Sequence, residues 1–138
     1  METDAGSPLP DQFPSIPGSI FPMYHIFADM GEWSNAEVLR TTSRDTLTAV
    51  GMTLRNQRSW CVFVANFSAR PQTVELLGLR GNLRLRMLDE FTAQEAMTKP
   101  DVYRARPGQI LETLKNRCSI ELAPFAVAKI FIEKPKGD

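Results

Sequence analysis

The stretch from Arg58 to Arg70, Arg-Ser-Trp-Cys-Val-Phe-Val-Ala-Asn-Phe-Ser-Ala-Arg, limits the fold more than any other part of the chain. Read as a strand, it places Trp60, Val62 and Val64 on one face and Cys61, Phe63, Ala65 and Phe67 on the other. Both faces are apolar, so both need cover, and the strand belongs in the interior of a sheet. Its β-branched, aromatic and small residues suit a pleated, buried surface. Val62, Phe63, Val64, Leu85, Ile120, Val127 and Ile130 are the expected core.

The rest of the chain supplies partners for that strand. Residues 1–18 are rich in Pro, Gly, Ser and Asp, and their prolines exclude a helix or an internal strand, so they read as a linker, with Phe13 and Ile16 free to dock on a neighbour. Residues 19–34 read as one helix, with Ser19 as a cap and Pro22 in the first turn. Ile20, Met23, Tyr24, Phe27 and Met30 follow helical spacing, yet Phe21, Ile26 and Trp33 lie off that stripe. A helix apolar nearly all round is expected to sit between two bodies, one of them outside this chain.

From residue 35 to 134 the pattern has period 2. Strands are expected at 37–41, 45–55, 58–68, 72–77, 82–88, 110–114, 117–122 and 125–133. Asn56-Gln57 and Lys115-Asn116 mark hairpins, Ala123-Pro124 a corner, Thr92-Ala93-Gln94-Glu95 a capping box with a single helical turn, and 101–108 a loop or weak strand. Residues 135–138 form a polar tail. About eight short strands with turns between them and no alternating helices predict an all-β fold: an antiparallel β-sandwich with one N-terminal helix.

Sixteen basic residues balance sixteen acidic ones, which removes the long-range attraction that nucleic acid or an anionic membrane requires. No apolar run is long enough for a membrane span, and Met-Glu-Thr-Asp does not open a signal peptide, so the expectation is a cytoplasmic protein without nucleic-acid or membrane partners. Cys61 and Cys118 read as buried free thiols.

No catalytic constellation emerges. His25 is the sole histidine, and Asp29 at i+4 makes it an ordinary helix pair more readily than an acid–base site. Metal and cofactor sites are not expected. Asp89, Glu90 and Glu95 read as a turn and a cap. Asn66-Phe67-Ser68 has the glycosylation spacing but ends a buried strand. Arg84, Arg86, Arg104 and Arg106 read as a solvated strand face. Trp33, Trp60 and Tyr24 read as buried, which leaves Tyr103 as the sole exposed Tyr or Trp.

Three segments resemble a known architecture. Phe21-Pro22-Met23-Tyr24-His25-Ile26-Phe27-Ala28-Asp29 is similar to the final helix of a glycosidase-like (β/α)8 barrel. Val64-Ala65-Asn66-Phe67-Ser68-Ala69-Arg70-Pro71-Gln72-Thr73-Val74 resembles a strand of the sandwich that follows such barrels, with Phe-Ser where Leu-Thr is usual. Leu122-Ala123-Pro124-Phe125-Ala126-Val127-Ala128 resembles its closing strand. Over residues 19–133 the chain most resembles the C-terminal region of the D-apionate lactonase-like family. That resemblance implies a glycoside-hydrolase C-terminal-domain-like sandwich, a remnant of the barrel in residues 1–18, and a barrel whose chemistry lies outside this chain. It also implies a non-catalytic accessory domain whose partner is the catalytic barrel of a carbohydrate- or sugar-acid-active hydrolase. Phe21, Tyr24, Phe27, Met30 and Trp33 are the expected interface, which the isolated chain could cover by forming a homodimer. The alternative is a carbohydrate-binding module.

Overall fold

A computed structural model describes residues 17–133; residues 1–16 of the expected linker over 1–18, with Phe13 and Ile16, and the tail over 135–138 lie outside them. The described chain forms two compact units, residues 17–34 with Glu90–Arg106 and residues 35–89 with 107–133.

The second unit carries all eight strands: β1 (Glu37–Leu39), β2 (Ala49–Arg55), β3 (Ser59–Asn66), β4 (Gln72–Leu77), β5 (Asn82–Leu88), β6 (Gln109–Leu111), β7 (Arg117–Leu122) and β8 (Val127–Glu133). They make an antiparallel sandwich of a six-stranded sheet, ordered β1-β2-β3-β8-β5-β6, and a two-stranded sheet, β4-β7. β3 lies inside the larger sheet between β2 and β8, as its two apolar faces require. Cys61, Val62, Phe63 and Val64 are all buried, two on each face.

Register explains the core. Val62 lies opposite Ile130, and Ile130 opposite Leu85, so the three share a face. Val64, Leu83, Ala128 and Ile132 extend that face, and Cys118, Ile120 and Leu122 of β7 close over it. Val127 points the other way and is half-buried, an exception to the expected core, because period 2 puts it on the face opposite Ala128.

Turn chemistry sets the connections. Asn56 Oδ1 accepts from the backbone N–H of Arg58 (2.9 Å) and Ser59 (2.8 Å), closing the β2–β3 turn. Lys115 and Asn116 both have positive φ, the conformation of a two-residue hairpin turn. The expected β6–β7 hairpin is nevertheless reduced to the Leu114–Arg117 bridge. β6 joins β5 in the large sheet while β7 joins β4 in the small one, so the chain changes sheets there.

The first unit is helical: α1 (Met23–Glu32), α2 (Ala93–Thr98) and α3 (Pro100–Ala105). α1 begins after Pro22 rather than at Ser19, and neither its start nor that of α2 has a side-chain cap bond. α3 corrects the loop or weak strand expected over 101–108: Pro100 occupies the first turn, where its missing N–H costs nothing. The capping box at Thr92 is not made, because Glu95 is held by Arg106, with Nε and Nη2 donating to its carboxylate at 3.0 and 2.6 Å.

Candidate interaction surface

On α1, the polar side is the buried one. His25 and Asp29, four residues apart on one face, are almost fully enclosed. His25 Nε2 lies 2.7 Å from the Ala96 carbonyl, so that nitrogen carries the proton and Nδ1 is left as the acceptor facing Arg104 Nη1 at 3.5 Å. Arg104 Nη2 donates to Asp29 (3.0 Å) and Glu32 (2.8 Å), and Nη1 donates to the His25 carbonyl (3.3 Å). Tyr103 sets its ring edge-on to His25 with centroids 4.6 Å apart. Ile20 N–H donates to Met97 O at 3.0 Å, tying the start of α1 to α2.

Arg104 is therefore no part of a solvated strand face. It is a half-buried clasp on a helix, held by Asp29 and Glu32. Arg84 and Arg106 are exposed, Arg86 is half-buried, and the four arginines are shared between a strand and the α3 segment. Arg104 bridges His25 and Asp29.

The apolar stripe of α1 faces the other way. Met23 is 54% exposed, Tyr24 41% and Phe27 59%. Of the expected interface residues, Tyr24 and Phe27 lie on this surface, Phe21 and Met30 are half-buried, and Trp33 is buried. Tyr24 and Tyr103 thus exchange the places read for them: Tyr103 is buried against His25, while Tyr24 is exposed. Sequence could not separate the sides, because the polar partners of His25 and Asp29 come from helices about seventy residues away.

Asn66 has a similar hidden role. Its Nδ2 donates towards Arg70 O (2.8 Å), Ala123 O (3.0 Å) and Leu122 O (3.3 Å), and its Oδ1 accepts from Ser68 N and Oγ. Gln72 Nε2 adds a bond to Ser68 Oγ at 3.0 Å. The Asn-Phe-Ser segment is a lock between strand ends, with no free amide for a glycan.

Among the described residues no group of three or more His, Cys, Asp or Glu is placed to hold a metal, and no helix is long and apolar enough to cross a membrane. Cys61 and Cys118 are buried and not joined in a disulfide, and burial pushes the Cys118 thiol up.

Residues 46–130 match the model of the D-apionate lactonase C-terminal, immunoglobulin-like domain. The chain belongs to that family. The match runs from the turn before β2 into β8 and so takes in the interior strand, the Asn66 lock and the closing strand. No curated protein sequence matches the chain. Solved structures share its fold at low identity. A GH30 endoxylanase from Clostridium papyrosolvens C71 aligns with TM-score 0.62 and 7% identity over 83% of this chain and 28% of its own. The GH30 subfamily 8 xylanase Xyn30A from Clostridium acetobutylicum gives 0.55 and 12% over 76% and 27%. A GH44 xyloglucanase from Paenibacillus polymyxa gives 0.55 and 9% over 71% and 19%. The chain therefore spans little more than a quarter of the most fully covered of these enzymes, and the likeness is one of fold.

Proposed function

We propose that this chain is a non-catalytic accessory β-sandwich that supports a carbohydrate- or sugar-acid-active barrel enzyme of the lactonase or glycosidase kind. The observation that carries this reading is the family match over residues 46–130, joined to the small share of each glycoside hydrolase that the chain covers. The outward stripe of α1 supports it: Met23, Tyr24 and Phe27 offer a barrel an apolar contact, while the polar side of the helix is already used within its own unit. Phe21 and Met30 flank that stripe. His25 serves packing here, since both its ring nitrogens face partners within the helical unit.

The test supplies this chain in trans to a D-apionate lactonase-family barrel that lacks its own sandwich. The expected result is a rise in the barrel's melting temperature that Tyr24→Ser with Phe27→Ser removes, and no lactone or glycoside turnover by the chain alone. A barrel that gains nothing, or turnover by the isolated chain that His25→Ala abolishes, overturns the reading.

One observation favours a second reading, a carbohydrate-binding module. Phe67 and Phe125 are both exposed at the same strand end, where Phe125 N–H meets Ser68 O at 3.3 Å, and Phe125 holds a left-handed backbone with φ 58°. Retardation of the chain in gels containing soluble xylan or xyloglucan, lost in Phe67→Ala and Phe125→Ala, would establish it in place of the first; unaltered migration would dismiss it.

A further inference from the structure

We draw no further inference here: the strongest candidate, the exposed apolar surface patch of Leu47, Phe67 and Phe125 on three hydrogen-bonded turns at one end of the sandwich, carries nothing because nothing in the structure shows what covers it.

Discussion

Asn66 shows how one side chain fixes a junction. Its amide faces three carbonyls from two separate segments while its carbonyl oxygen holds Ser68, and the residue is 1% exposed. Removing it takes one donor from each of these carbonyls and the acceptor from Ser68, so Asn66→Ala should destabilise the chain by about 1–3 kcal/mol in urea unfolding, above a surface change. Gly81 carries a different constraint: φ is +102°, and a Cβ there would lie 2.6 Å from the Glu133 carbonyl. Gly81→Ala should therefore lower the melting temperature, through strain and through displacement of the end of β8. At Glu95, the bond from Arg106 holds the carboxyl below its usual range. A depressed folded pKa contributes stability above the unfolded value, and that contribution is lost as pH falls through the lowered one. Arg106→Ala should move the NMR titration of Glu95 up towards an ordinary carboxylate; an unmoved midpoint would show that the pair is not made in solution.

Among the elements, α1 and β3 carry opposite lessons. β3 is a strand whose apolar alternation matches its interior place, and Val64 sits at its buried centre. Val64→Ala should cost roughly 1–4 kcal/mol from lost transfer energy and a residual cavity, read from the denaturant midpoint. α1 is held by polar contacts on its inner side. Asp29→Ala takes a carboxylate from Arg104 and should loosen the helical unit, seen as faster amide exchange in 23–32. Phe27→Ser, on the exposed stripe, should leave stability within about 0.5 kcal/mol and alter only association.

At the scale of the whole molecule, topology sets the folding rate. β3 pairs with β8 and β4 with β7, strands far apart in sequence, so stopped-flow refolding should fall in the range of about milliseconds to seconds rather than microseconds. The same topology separates what the chain's pattern fixes from what it leaves open. Period-2 alternation and two-faced apolarity in 58–68 were enough to define an antiparallel sandwich with β3 inside it, because those signals are local and each is repeated along the strand. The resemblance of 64–74 and 122–128 to family strands was legible for the same reason, since turn and strand-end chemistry is encoded in neighbouring residues. The helix over 100–105, the split of β6 and β7 between sheets, and the inward side of α1 were not legible. Each is decided by groups brought from elsewhere: Arg104 and Ala96 O for His25 and Asp29, β5 for β6, and β4 for β7. An apolar stripe normally marks the buried side of a helix, but here polar partners supplied in the folded state cover His25 and Asp29, and the stripe is left outward. Sequence by itself determined which residues alternate and where the chain turns. Only the tertiary structure decided which face of each element is covered, because burial is a property of what packs against a residue and not of the residue alone.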